Sequence, residues 1–316
     1  MVALLLFMVA TVVALVLFDW YEEEHSNQQQ NSRPFTDEPR AERYYTTCSI
    51  FTVLGFTREE IKTFTAFRDH FRSYAEVTSA MRRAGLERMR LIVGIDFSAS
   101  NEWQGRRTFK GELLHSLKGS AVFNPYQKVL HTLAPAFTPF LHNQPIHAYG
   151  FGDVRTKDYD VFPLKPSGPA CVDLEDVLDA YNHSARRVQR SGPTTLAPII
   201  RRATDIVRRT GQFHILLIVT DGQMRPDETH TRHALVEASK SALSIVAVGV
   251  GDGPWRALEE WDERVPDRVF DNFHFVNYHH VVRSARNTEA ALALHALMEI
   301  PDQFQTILRL NYLSKY

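Results

Sequence analysis

The first candidate for chemistry is a five-residue segment that carries Asp96, Ser98 and Ser100 at alternate positions. It directly follows the apolar run 91–95, so one carboxylate and two hydroxyls stand on a single loop at the end of an expected strand. All three are hard oxygen ligands, which suit a small divalent cation such as Mg²⁺. Asp and Ser are also common in turns, and on this segment alone a polar turn is the better interpretation.

Two later segments add oxygen donors at comparable positions. Thr194 lies in a Gly-Pro-Thr-Thr loop before an expected helix, and Asp221 directly follows an expected strand in Thr-Asp-Gly. In a parallel sheet both loops lie on the side where ligands bind. Together they offer another hydroxyl and another carboxylate to the same kind of ion.

Apolar and amphipathic runs, which would position these loops, alternate along the chain. Near-continuous apolar runs, typical of strands covered on both faces, predict strands at 91–95, 146–151, 214–220, 243–250 and 274–277. Helical spacing predicts helices at 126–140, 174–189, 196–209, 231–241, 254–264 and 281–298. These repeats predict an α/β fold, a doubly wound, mostly parallel sheet flanked by helices. Asp96 then lies at the carboxyl end of a strand, which favours the metal site over the turn.

The bulk composition excludes several classes of protein. The 316 residues carry 36 basic and 37 acidic side chains, so no field for binding nucleic acid is expected. The only two cysteines, Cys48 and Cys171, cannot build a zinc ribbon, a RING or a disulfide framework. The histidine pairs at 230/233 and 279/280 are interpreted as solvated surface, because zinc needs more converging ligands.

Residues 1–18 form an apolar run that is only just long enough to span a membrane as a helix. A single N-terminal anchor is the preferred interpretation, since Trp20 and Tyr21 suit the membrane interface. A cleaved signal peptide and a buried segment stay open as alternatives. This predicts a membrane-associated protein whose folded domain is cytoplasmic, with secretion as the alternative.

Several short motifs also follow one another in an order that carries a family resemblance. They are Asp-Phe-Ser-Ala-Ser-Asn (96–101), Gly-Phe-Gly-Asp (150–153), Ser-Gly-Pro-Thr (191–194), Leu-Ser-Ile-Val (243–246) and Val-Gly-Val-Gly-Asp (248–252). Over about residues 73–302 the chain resembles a copine-type von Willebrand factor A domain. Segments at 101–103, 253–255, 270–273 and 296–301 make it most similar to the copine domain of plant RING-type ubiquitin ligases.

The resemblance implies a domain organisation and a metal-ion-dependent adhesion site. We expect an anchor or signal segment at 1–18, a polar linker at 19–55, the A domain at 56–302 and a tail at 303–316. By position in the family motif, the implied ligands are Asp96, Ser98, Ser100, Thr194 and Asp221, with Thr195 as a weaker substitute for Thr194. The implied ion is Mg²⁺ or Mn²⁺, with Ca²⁺ ranked behind both, and the implied partner is a protein that offers an Asp or Glu carboxylate.

Two parts of the related proteins are not recognisable in the sequence. Copines carry C2 domains before the A domain and the plant ligases carry a RING after it, but few residues precede the domain and no cysteine follows Cys171. We therefore expect a protein-interaction module and not an enzyme, since no catalytic base or nucleophile is evident. The alternatives are a ubiquitin-pathway accessory protein without ligase activity, a metal-dependent phosphohydrolase and a scaffold with a vestigial site. Ser98 disfavours the phosphohydrolase, because a phosphoaspartyl enzyme would want a second Asp there.

Overall fold

The computed structural model describes residues 73–118, 122–224 and 228–313. In this part of the chain the strands are β1 (Arg90–Asp96), β2 (Ile146–Phe151), β3 (Phe162–Pro163), β4 (Ala170–Cys171), β5 (His214–Thr220), β6 (Leu243–Gly249) and β7 (Phe273–Asn277). The helices are α1 (Tyr74–Arg83), α2 (Pro125–Leu141), α3 (Leu174–Ala185), α4 (Ala197–Thr210), α5 (Thr229–Ala238), α6 (Arg256–Glu263), α7 (Tyr278–Ser284), α8 (Thr288–Leu297) and α9 (Ile300–Arg309). A short 3-10 helix, Ala99–Glu102, follows β1.

The strands form one sheet in the order β3-β2-β1-β5-β6-β7, and β4 also pairs with β2. The five long strands are parallel to one another, whereas the two-residue strands β3 and β4 run antiparallel to β2. The predicted doubly wound, mostly parallel α/β fold is therefore confirmed. The short strands were not predicted, because two residues of a ladder leave no periodic pattern in the sequence.

The direction of the crossovers reverses at β1. Its neighbours are β2 on one side and β5 on the other, so the chain leaves β1 toward one edge and later returns to build toward the opposite edge. A crevice forms beyond the carboxyl ends of the two strands that flank such a switch point, and ligands of open α/β sheets bind there. Asp96 is the last residue of β1 and Thr220 is the last residue of β5, so the candidate residues border this crevice.

The core lies between the sheet and the helices on its two faces. Every residue of β5 and of β6 is buried, as expected for strands that are covered on both sides. Helix α4 lies close to β1: a Cβ added at Gly94 would come within 2.6 Å of the Cγ1 atom of Ile199. The glycine therefore permits a close approach of the helix to the strand directly below the loop of Asp96.

The predicted helix at 281–298 is instead two helices. Ala285 adopts extended backbone at the end of α7, and the side chain of Asn287 accepts a hydrogen bond from the N–H of Ala290 to cap α8. Asn favours N-cap positions, which explains the break. The last helix, α9, begins in front of the segment predicted as a tail and buries Phe304 and Ile307 in the core.

The membrane-associated localisation predicted from residues 1–18 is corrected by the fold. In the parts of the chain that the structure describes, no helix is both long and apolar enough to cross a bilayer. Residues 1–18 lie outside these parts, as does the linker predicted at 19–55.

Candidate metal site

Two carboxylates form the floor of the candidate site. Asp96 ends β1, and Asp221 directly follows the end of the neighbouring strand β5. Neither residue is accessible to solvent. One oxygen of Asp96, Oδ1, accepts the N–H of Ser98 at 2.8 Å, and the other, Oδ2, accepts the hydroxyl of Thr220 at 2.6 Å. Both oxygens of Asp96 are thus oriented by donors of its own loop and of β5.

The two serines of the first loop converge as the sequence predicts. The hydroxyl oxygens of Ser98 and Ser100 lie 3.0 Å apart, and both residues are buried. The side-chain amide of Asn101 donates to the carbonyl oxygen of Ser98 at 3.0 Å, which fixes the start of the 3-10 helix. The alternating spacing of the motif therefore brings both hydroxyls to one side of the loop.

The loop that carries Thr194 lies between the other two. Ser191 forms a bridge with Ser98 on one side, and Thr194 forms a bridge with Met224 on the other. Thr194 itself is buried. The three loops with the five predicted residues are therefore adjacent, at the carboxyl edge of the sheet.

Thr195, the weaker substitute, is engaged elsewhere. Its hydroxyl lies 3.0 Å from the Oε1 atom of Glu228 and 3.2 Å from the hydroxyl of Thr231, and it accepts the N–H of Ala197. These contacts tie the start of α4 to the start of α5. The geometry therefore favours Thr194 as the candidate ligand.

The electrostatics of the pair favour a bound cation. Burial raises the pKa of the Asp96 carboxyl, and hydrogen bonds from Thr220 and Ser98 only partly oppose it. The pKa of Asp221 lies well above its ordinary value, first because of burial and then because of the negative charge of Asp96. Among the described residues the Oδ2 atom of Asp221 has no hydrogen-bond partner, although its Oδ1 accepts the N–H of Gln223 at 3.1 Å. A buried oxygen of this kind beside a second carboxylate fits a hard divalent ion.

A layer of aromatic side chains supports the first loop from below. The Nε2 atom of His115 donates to the backbone carbonyl of Asp96 at 2.9 Å, and its Nδ1 accepts the hydroxyl of Tyr181 at 2.9 Å. Burial lowers the pKa of His115 to about 3, so the ring is neutral at ordinary pH. The ring stacks on those of Phe97 and Tyr126, with distances of 4.7 Å and 4.1 Å between the ring centroids. The backbone of the loop is thus held on a packed, hydrogen-bonded base.

Sequence reasoning missed these supporting residues. Thr220 and Asn101 are next to predicted ligands in the sequence, so a supporting role could have been predicted for them. His115 and Tyr181 had no signal, because they lie 19 and 85 residues from Asp96 and reach it only through the packing of the fold.

Residues 113–316 match the family model described as Copine. The chain belongs to the copine family. The matched region contains Thr194 and Asp221 and begins after the loop of Ser100. The match therefore covers two of the three loops of the candidate site and leaves out the loop of Asp96.

Individual copine relatives cover more of the chain. "Copine family protein 1" of Caenorhabditis elegans is 42% identical over 272 residues, which are 84% of this chain and 24% of that protein. "E3 ubiquitin-protein ligase RGLG4" of Arabidopsis thaliana is 42% identical over 271 residues, 80% of this chain and 67% of that protein. "E3 ubiquitin-protein ligase RGLG1" of the same plant is 41% identical over 261 residues, 78% of this chain and 53% of that protein. The copine chain thus spans about a quarter to two thirds of these relatives.

Solved structures are more distant. A "von Willebrand factor type A from Catenulispora acidiphila" is 12% identical with a TM-score of 0.38, over 70% of this chain and 42% of that one. The "manganese-loaded Plasmodium vivax TRAP protein" is 11% identical with a TM-score of 0.39, over 65% and 74% of the two chains. The order and direction of the strands, described above, carry the assignment of the copine chain to this fold class.

Proposed function

We propose that the copine chain is a metal-dependent protein-interaction module. Its ligands for Mg²⁺ or Mn²⁺ are Asp96, Ser98, Ser100, Thr194 and Asp221. The partner is a protein that presents an Asp or Glu side chain to this site. The observation that carries the proposal is the buried Oδ2 atom of Asp221, which lacks a hydrogen-bond partner among the described residues beside a second buried carboxylate.

The balance of charges explains why this donor set suits a carboxylate partner. Two carboxylates neutralise a divalent cation, and the Ser and Thr hydroxyls add no charge. The bound ion would supply a coordination position, otherwise held by water, that accepts the oxygen of a partner carboxylate. A third acidic ligand would give the ion-bound site a net negative charge and repel such a partner. The five proposed ligands include only two acidic residues.

The protein's own residues prepare the site before any ion enters. Thr220 and the N–H of Ser98 orient the carboxylate of Asp96, and Asn101 fixes the loop that presents the hydroxyls. Such outer contacts typically change metal affinity 10- to 100-fold, because they hold ligands in the geometry that the ion requires. Because the ligands are already held in place, little free energy of ion binding is lost in ordering them.

Isothermal titration calorimetry of the full chain with Mg²⁺ and Mn²⁺ tests the proposal. Asp96→Asn and Asp221→Asn should each abolish measurable binding. The matched control is Asp252→Asn, at the same edge of the sheet, whose carboxylate already accepts N–H groups of Arg107 and Thr108 and the Thr108 hydroxyl. The control should bind like the native chain. Absence of binding in the native chain, or full affinity in both Asp variants, would overturn the proposal.

Binding of a partner provides a second test. A peptide carrying a single exposed Glu, attached to a sensor surface, should retain the chain in Mg²⁺ and release it in excess chelator. The same peptide with Gln in place of Glu should not retain it. Equal retention of both peptides would contradict recognition through a carboxylate.

A second candidate function is an accessory role in the ubiquitin pathway. It is favoured by the Arabidopsis relatives named E3 ubiquitin-protein ligases, which are 41–43% identical to this chain. We do not propose ligase activity, because the two cysteines Cys48 and Cys171 cannot supply the zinc ligands of a RING. An in vitro ubiquitination assay with the purified chain as the only candidate ligase should yield no conjugates, and conjugates would overturn this assignment.

A further inference from the structure

A second group of metal-ligating side chains lies at the amino edge of the sheet. Asp262 near the end of α6, His274 in β7 and Glu299 at the start of α9 bring one ligand atom each to within 4.8 Å of one another. His274 and Glu299 are 5% exposed, and Asp262 is the member that opens to solvent. These residues come from three elements, and the candidate site at the carboxyl edge uses none of them.

The imidazole of His274 is oriented like that of a metal ligand. Its Nε2 atom lies 2.7 Å from the backbone carbonyl of His295, so this nitrogen donates a proton and leaves Nδ1 facing the two carboxylates. Metal-ligating histidines usually donate their second ring N–H to a carbonyl or carboxylate in this way, which fixes the tautomer. Nδ1 is buried and forms no hydrogen bond of acceptable geometry, although carboxylate oxygens stand close to it.

The distances around Nδ1 match the edges of a tetrahedral site. The Oε1 atom of Glu299 lies 3.1 Å and the Oδ1 atom of Asp262 lies 3.3 Å from the Nδ1 of His274. Ligands bound at about 2.0–2.1 Å in a tetrahedron are separated by about 3.3 Å. The spacing therefore fits a shared cation, and it also fits an ion pair between a protonated imidazole and the two carboxylates.

Both carboxylates are themselves positioned. The Oδ1 atom of Asp262 accepts the N–H of Phe275 at 2.9 Å, and the Oε2 atom of Glu299 accepts the side-chain amide of Gln303 at 3.0 Å. These contacts leave the Oε1 atom of Glu299 and one face of Asp262 directed toward the imidazole. The arrangement supplies an outer shell of hydrogen bonds for each of the three side chains.

We propose that Asp262, His274 and Glu299 bind a Zn²⁺ ion, with water as the fourth ligand on the side that Asp262 opens to solvent. Zinc takes nitrogen and oxygen ligands in tetrahedral sites, and imidazole selects it over Mg²⁺. The site joins the end of α6, the edge strand β7 and the junction of α8 and α9. An ion at this place would link the last helices of the described chain to the sheet.

A proton takes the place of the ion in the ion-free protein. Burial opposes a charge on His274, but Glu299 and Asp262 hold its pKa well above the ordinary value. The guanidinium of Arg268, which is paired with Asp271 at 2.9 Å, also attracts Asp262 and Glu299. A Zn²⁺ ion would therefore displace the proton from the Nδ1 atom of His274.

Metal titration of the chelator-treated full chain tests the proposal. The expected result is one Zn²⁺ per chain, with Co²⁺ in its place giving the intense visible absorption of tetrahedral coordination. His274→Gln should lower Zn²⁺ affinity by on the order of 100-fold or more, and Asp262→Asn by at least about 10-fold. One control is His214→Gln, at another buried histidine of the same edge, and the other is the double variant Asp96→Asn/Asp221→Asn. Both controls should keep the native affinity for Zn²⁺.

The outcomes separate this site from the one at the carboxyl edge. Loss of Zn²⁺ binding in the double variant, with retention in His274→Gln, would assign zinc to the other site and overturn the proposal. Absence of Zn²⁺ binding, or an octahedral Co²⁺ spectrum in the native chain, would also overturn it and leave a buried ion pair. The Co²⁺ spectrum needs no substitution, so it decides the question even if His274→Gln does not fold.

Discussion

The two edges of the sheet hold buried charge in opposite ways. At the carboxyl edge, Asp96 and Asp221 lie together among hydroxyl and amide donors that carry no charge. At the amino edge and beside β7, the guanidinium of Arg268 attracts Asp271, Asp262 and Glu299, so the protein supplies positive charge of its own. A site whose charge is unbalanced favours a cation from solution. The comparison teaches that one edge of the sheet depends on an ion from solution, while the other combines the internal Arg268–Asp271 pair with the proposed zinc site.

The largest loss of stability is expected from a substitution in the buried ion pair at the amino edge. Arg268→Met removes the cation of a pair whose side chains are at most 1% exposed and leaves Asp271 buried without its charge partner. We expect a loss of about 3–5 kcal/mol in the free energy of unfolding, measured by urea denaturation. Arg256→Met, which removes a solvated partner of Glu260, should leave the urea midpoint unchanged. A native midpoint in Arg268→Met would break the comparison.

His214 provides a pH-dependent test at the same edge. Burial lowers its pKa from 6.5 to about 4, and the positive charge of Arg90 acts in the same direction. The unfolded chain binds a proton in this interval and the folded chain does not, so stability present above about pH 6.5 is lost as the pH falls toward 4. Between pH 7 and pH 4, the free energy of unfolding should fall by up to about 3 kcal/mol less in His214→Gln than in the native chain. Identical pH profiles of the two proteins would contradict it.

At the carboxyl edge, the support of Asp96 should set the affinity for the ion. Thr220→Val removes the hydroxyl that donates to Oδ2 of Asp96 and accepts the N–H of Gly222, with little change of shape. Calorimetry should show Mg²⁺ or Mn²⁺ binding weakened by about 10- to 100-fold. Thr204→Val is the control, because that hydroxyl only contacts the carbonyl of Ile200 within α4. Equal affinities of the two variants would mean that Thr220 does not prepare the site.

The ion-free protein should gain stability when one charge of the pair is removed. Asp221→Asn relieves the repulsion between two buried carboxylates, so in excess chelator its unfolding free energy should exceed that of the native chain by about 1–2 kcal/mol. The order should reverse in saturating Mg²⁺, where the native chain binds the ion and the variant does not. A variant that is less stable than the native chain in chelator would show that the pair is already compensated.

The sequence predicted the parts of the molecule whose signals are local. The long strands were confirmed to within about a residue, because their apolar runs are continuous and end at polar loops. The loop of Asp96 was recognised because its three oxygen donors occupy five residues, and position at a strand end then connected it with Thr194 and Asp221.

The missed features depend on contacts between distant residues. Asp262, His274 and Glu299 are spread over 38 residues on three elements, so no spacing rule connects them. The break before α8 was missed for another reason, because the apolar pattern continues across it and only the cap at Asn287 marks it. Local periodicity therefore predicts elements and short motifs, while register and packing decide which side chains meet.

The contact between Gly94 and Ile199 has a consequence for engineering. The absence of a methyl group at position 94 lets α4, which follows the Thr194 loop, approach β1, which leads into the Asp96 loop. We expect a larger residue at position 94 to move the helix and the strand apart and to change the spacing of the proposed ligands. Selection for larger cations could therefore begin at position 94, by widening the interval between helix and strand, with every ligand left unchanged.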